Sequence, residues 1–153
     1  SAKVHDLAIL KIEGQPLPAL TLATNGFLPD GSEIAFTGFP IGAVLGLYPA
    51  THRGIVAAVT PTIIPVGDAR QISIAMLKRL KDPYLVYQLD ATAYPGNSGS
   101  AMYDVNSGEV VGIINKVFIQ GNKETAITKP SGITYAIPVK YLHTLLKQHN
   151  ING

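Results

Sequence analysis

The 153 residues are 46% hydrophobic and 14% charged, with a net charge of +2, a balance that excludes a disordered chain. The small charge and the lack of a basic block speak against nucleic acid as a partner. The absence of cysteine rules out disulfides and cysteine-ligated metal. No apolar run approaches the ~18 residues of a membrane span, and no stretch reads as a targeting segment. The size suits one domain with a real core.

The elements are mostly strands. VHDLAILKI (4–12) is a short β-rich run in which Leu7, Ile9 and Leu10 make both faces apolar. GQPLPALTLATNGFLPDGS (14–32) reads as an extended connection full of turn residues. Six strand candidates follow, at 33–39, 53–59, 84–90, 100–104, 109–119 and 132–137. Val105 to Gly108 forms a tight hairpin, with Gly108 supplying a positive φ. Residues 61–83 are a longer insert than a hairpin needs, and 69–82 within it suits a short amphipathic helix. After Pro138 the period changes: Val139, Leu142, Leu145 and Leu146 recur at helical spacing. The expectation is an all-β, six-stranded antiparallel barrel closed by a C-terminal helix.

YPGNSGSAMYD (94–104) sets Ser98 in a bend. Pro95 fixes φ, and Gly96 and Gly99 permit backbone angles closed to other residues. Such a bend can aim backbone N–H groups of Gly96, Asn97 and Ser98 at one point, an oxyanion hole beside the serine hydroxyl. Each such donor is worth on the order of 3 kcal/mol toward a tetrahedral acyl-transfer intermediate. An α/β-hydrolase elbow is excluded, because it must lead into a helix and here a hairpin strand follows.

His5-Asp6-Leu7-Ala8-Ile9-Leu10-Lys11 resembles the D-[IL]-A-x-L-K stretch of trypsin-like serine peptidases. LDATAYPGNSGSAMYDVNSGEVVGIIN (89–115) is similar to the segment around their serine, above all in the HtrA/Deg-type branch. Thr37 to Pro40, Arg53 to Val56 and Gly132 to Pro138 match that branch in order. Two positions depart: Ser100 stands where the family has glycine, and Ala101 where proline is common. The resemblance implies a chymotrypsin-type double barrel, with 1–13 as the last strand of the N-terminal barrel. Residues 14–32 would be the inter-barrel connection, and 33–153 the C-terminal barrel with its helix. It implies serine endopeptidase chemistry, with Ser98 as nucleophile and Asp6 as the triad carboxylate, without cofactor or metal.

That chemistry needs an imidazole between serine and carboxylate. The family order is His, Asp, Ser, and only five residues precede Asp6. His5 adjoins Asp6 but points to the other face of a strand, and His52, His143 and His149 read as surface or capping residues. The chain is therefore expected to be a fragment, inactive by itself, with the missing N-terminal barrel as its partner. Strand 4–12, left unpaired, would recruit that half or a second copy. A non-catalytic module binding peptides in the same cleft is the alternative.

In the family the pocket floor lies six residues before the serine. Here it is Thr92, which argues against an Arg or Lys preference. Asn115, Lys116, Val117 and the strand from Gly132 are the expected walls, suiting polypeptide substrates with small or medium apolar side chains. The resemblance alone implies a periplasmic, cell-envelope or secreted location.

Overall fold

The computed structural model describes residues 5–41, 46–61, 84–117 and 134–151. The described strands are β1 (Glu33–Gly38), β2 (Ala50–Pro61), β3 (Leu85–Asp90), β4 (Ala101–Asp104), β5 (Val110–Val117) and β6 (Thr134–Pro138). They close into an antiparallel barrel in the order β1-β2-β3-β6-β5-β4. Closure runs through β1, which pairs with β2 on one side, with Phe36 opposite His52, and with β4 on the other, with Phe36 opposite Met102. A closed sheet leaves no barrel edge to be covered.

Alternation explains which side chains fill the barrel. Ile34 and Phe36 on β1, Val56 on β2, Tyr87 and Leu89 on β3, Met102 on β4 and Ile114 on β5 form the main core with Ala136 and Val139. Tyr87 keeps its hydroxyl satisfied inside that core by accepting the Leu28 N–H at 2.9 Å. Burial raises its pKa, and the Leu28 N–H opposes the shift. The hairpin after β4 forms as expected: Gly108 has φ +74° and donates its N–H to the Asp104 carbonyl at 2.8 Å. The connection before β1 lies along β5, where Ala23 N–H donates to Val110 O and Val110 N–H to Thr21 O.

Helix α1 (Val139–Gln148) starts directly after Pro138, whose φ of −59° suits a helix entry. Val139 and Leu145 are buried, with Leu142 packed beside them, so the helical spacing of the sequence places its apolar face on the barrel. The helix ends in a Schellman turn. Asn150 takes φ +53°, Ile151 N–H donates to Leu146 O, and Asn150 N–H donates to Lys147 O.

The expected strand at 4–12 is not formed in its described part. Residues 5 and 6 make a turn, Leu7 takes a single bridge position, and 8–12 are irregular. Leu7 and Ile9 pack on a second cluster with Val86, Ile137 and Leu145, while Leu10 and Ile12 are 83% and 68% exposed. The physical reason is pairing: a strand needs a neighbour along its length, and the described residues give it contact at one end only. The insert 61–83 and its amphipathic helix lie outside the described residues, apart from Pro61 at the end of β2.

Candidate active site

The serine bend is strapped to the barrel at both ends. Upstream, Pro95 O accepts the Ile41 N–H at 2.8 Å. Gly96 has φ +102°, and a Cβ there would stand 2.5 Å from Phe39 O, so both the conformation and the close approach demand glycine. Ile41 itself holds φ +48°, an uncommon state for a β-branched residue. Downstream, Gly99 N–H donates to Ile114 O at 2.7 Å and Ser100 O accepts Ile114 N–H at 2.9 Å, which stitches the bend to β5. Ser98 is exposed between these anchors.

Among the described residues, the amides of Gly96 and Ser98 donate to no backbone carbonyl, whereas the Asn97 amide is engaged by Tyr94 O at 3.1 Å. The Asn97 side chain turns inward instead, fully buried. It occupies the space a side chain at position 38 would need: a Cβ on Gly38 would meet Asn97 Oδ1 at 2.6 Å and Ser100 Oγ at 2.5 Å. Ser100, the departure from the family pattern, thus sits against a glycine that makes room for it. Among the described residues neither polar atom of the Asn97 side chain has a hydrogen-bond partner, an arrangement that costs about 1–3 kcal/mol for a buried group.

Asp6 reaches the same part of the barrel by another route. Its carboxylate accepts the Asn115 Nδ2–H at 2.8 Å. Asn115 can turn toward it because β5 carries a bulge there: Ile114 pairs with Ala136 and Lys116 with Tyr135, leaving Asn115 the extra residue. The bend after Ser98 and the Asp6 carboxylate therefore hang from consecutive residues, Gly99 and Ser100 on Ile114 and Asp6 on Asn115. Asn115, an expected pocket wall, bonds Asp6 through its side chain, a contact that depends on a bulge invisible in the strand pattern.

The other expected residues divide. Thr92 is exposed just after β3. Lys116 and Val117 belong to β5, and Gly132 lies outside the described residues. Three of the four histidine rings are engaged in other contacts. His5 stacks on Tyr141 with ring centroids 4.3 Å apart and meets Tyr84 edge-on at 4.9 Å. His52, partly buried, lies on Phe36 and beside Tyr94, its Nε2 enclosed without a partner among the described residues. Burial lowers the pKa of both, and Lys140 adds to the effect at His5. His143 Nε2 contacts Ala23 O at 2.8 Å, and His149 caps α1. Among the described residues no cluster of His, Asp and Glu is arranged to hold a metal, and no described helix is long and apolar enough to cross a membrane.

A closed six-stranded barrel with a C-terminal helix, and a glycine-flanked serine strapped to its fifth strand, define a trypsin-like domain. The chain belongs to the trypsin-like peptidase domain family, whose pattern matches residues 1–113. It resembles the HtrA/Deg-type branch in particular. A probable periplasmic DegP-like serine endoprotease of Halomonas elongata is 29% identical over 135 residues, covering 88% of this chain and 23% of that protein. One from Marinomonas sp. is 30% identical over 153 residues, covering 97% and 26%. The chain thus spans about a quarter of the length of these relatives. The HtrA-type protease AlgW, solved with a decapeptide, superposes with a TM-score of 0.61 at 25% identity, covering 92% of this chain and 36% of that one. A Mycobacterium tuberculosis protease in an inactive form shares the fold, with a TM-score of 0.58 at 16% identity, covering 87% and 54%.

Proposed function

We propose that this chain is the serine-bearing part of an HtrA/Deg-type endopeptidase that cleaves polypeptides, in the periplasm or cell envelope as its relatives' names suggest. Ser98 is the nucleophile, Asp6 the carboxylate that orients the general base, and the amides of Gly96 and Ser98 the oxyanion hole. The observation that carries this reading is that the two residues after Ser98 bond Ile114 while Asp6 bonds the next residue of β5, Asn115. The Gly96 and Ser98 amides, which bond no backbone carbonyl among the described residues, support the hole; the Asn97 amide, bonded to Tyr94 O, is left out of it.

The chemistry follows from these parts. The serine oxygen attacks the scissile carbonyl, its proton passes to an imidazole, and the carbonyl oxygen becomes an anion facing the Gly96 and Ser98 N–H groups. The imidazole then returns the proton to the leaving amine, and water releases the acyl group by the same steps in reverse. The rings of His5, His52 and His143 are engaged in other contacts, and His149 is exposed at the C-terminal end of α1. On this reading the base is supplied from outside these 153 residues, by a first barrel completing the domain, and the chain by itself does not hydrolyse peptides.

The engagement of His5, His52 and His143 in other contacts favours one second reading, a module that binds peptides without cutting them. Joining the chain to its upstream region and assaying a casein-type substrate separates the two. Hydrolysis that Ser98→Ala abolishes and Asp6→Asn lowers by about 10⁴-fold supports the peptidase. Peptide binding with no Ser98-dependent hydrolysis supports the binding module and overturns the peptidase.

A further inference from the structure

Residues 5–9 lie against the barrel in strict alternation although they form no strand. His5, Leu7 and Ile9 turn toward it, while Asp6, Ala8 and Leu10 are exposed. Leu7 is buried among Val86, Ile137 and Leu145. His5 is held between two tyrosines, stacked on Tyr141 at an interplanar angle of 22° and edge-on to Tyr84 at 84°. The platform beneath it is fixed, because the Tyr141 hydroxyl accepts the Leu85 N–H at 2.9 Å and Lys140 Nζ stands 5.0 Å from the Tyr141 ring centroid.

Asp6, between these two anchors, has φ +54°. Aspartate tolerates the left-handed region better than most residues but does not prefer it. An exposed residue keeps such a conformation only when its neighbours are fixed on both sides. Fixing His5 in the tyrosine cleft and Leu7 in the core leaves Asp6 a turned backbone, and the turned backbone presents its carboxylate to Asn115.

We propose that His5 is the positioning residue for Asp6: its ring, seated between Tyr84 and Tyr141, sets the backbone turn that delivers the Asp6 carboxylate to Asn115. Burial in the cleft disfavours a charged ring there and Lys140 adds to the effect, while the neighbouring carboxylate of Asp6 is exposed and turned to β5. The geometric role stands on the contacts alone; its consequence for catalysis rests on the role of Asp6 proposed above.

The test is NMR on the isotopically labelled 153-residue chain, with the Asn115 carboxamide assigned from its loss in Asn115→Ala. His5→Ala is expected to move the Asn115 carboxamide resonances to those of a solvated amide. It should also lower backbone order parameters at residues 6–8 from about 0.85 to below about 0.6. His5→Phe, which keeps a ring in the cleft, is expected to retain both. The proposal is overturned if His5→Ala leaves the carboxamide and the order parameters unchanged, or if His5→Phe behaves like His5→Ala. A spread of the changes to the amides of Ile114 and Ala136 overturns it too, because the ring would then support the barrel and not the segment. None of these readouts needs hydrolysis. If they come out as expected while the longer protein cuts no peptide, the peptidase reading fails and the positioning role stands; if the longer protein is active, His5→Ala lowers its kcat and leaves KM unchanged.

Discussion

Gly96→Ala tests how the bend is built. Alanine at φ +102° costs about 1–2 kcal/mol in backbone conformation. Its Cβ would in addition lie 2.5 Å from Phe39 O, an overlap relieved only by moving the bend off its strap, at about 1–3 kcal/mol. The sum, about 2–5 kcal/mol, corresponds to a fall in Tm of roughly 4–20 °C for a domain of this size. Gly99 is the internal control: it has φ +89°, but a Cβ there meets nothing within 4 Å, so Gly99→Ala carries only the conformational cost of about 1–2 kcal/mol. Thermal unfolding followed by near-UV circular dichroism on the two variants isolates the contact. A Tm for Gly96→Ala equal to that of Gly99→Ala would refute the claim that the bend is pressed against the chain after β1, and an unchanged Tm for both would refute the backbone conformation itself.

Three further outcomes are expected. His5 and His52 both have pKa values below 6.5; between each lowered value and 6.5 the unfolded chain binds more protons than the folded one, so stability is lost as pH falls below about 6.5 and is level above it. Urea melts across that range should show the loss, and the double variant His5→Phe, His52→Phe should flatten it; a pH-independent wild type contradicts the assignment. Leu145→Ala, at a position 1% exposed beneath Leu7, should cost about 2–5 kcal/mol in urea unfolding, whereas Leu17→Ala, at a position 71% exposed, should stay within about 0.5 kcal/mol. Glu33→Gln breaks the ion pair with Arg53, whose partners are 47% and 65% exposed, and should change stability by less than about 1 kcal/mol.

The barrel was legible in the sequence because its strands alternate and its turns carry glycine where φ is positive. Each of the six expected strands appears within a few residues of its predicted ends, and the spacing of Val139, Leu142 and Leu145 announced the helix. The family motifs single out Ser98 as the candidate, since a glycine on either side of a serine after proline leaves a written trace. What was not legible depends on register. Asn115 reads as one more residue of a regular strand, and only the extra residue opposite β6 frees it for Asp6. The run from His5 to Lys11 reads as a strand by composition, but pairing decides strands, and the run docks by alternate side chains instead. Asn97 reads as one of three amide donors, yet its N–H is bonded to Tyr94 O, a turn contact that the residue types do not announce.

The most direct test of the account is covalent labelling by a fluorophosphonate, with the modified residue mapped by mass spectrometry. The reagent reports an activated serine with a working oxyanion hole and requires no knowledge of the natural substrate. The account predicts no labelling of the 153-residue chain and rapid labelling at Ser98 once the upstream region is joined to it, lost in Ser98→Ala. Labelling of the isolated chain at the full rate would contradict the claim that the base lies outside it, and a joined protein that stays unlabelled would contradict the assignment of Ser98 as the nucleophile.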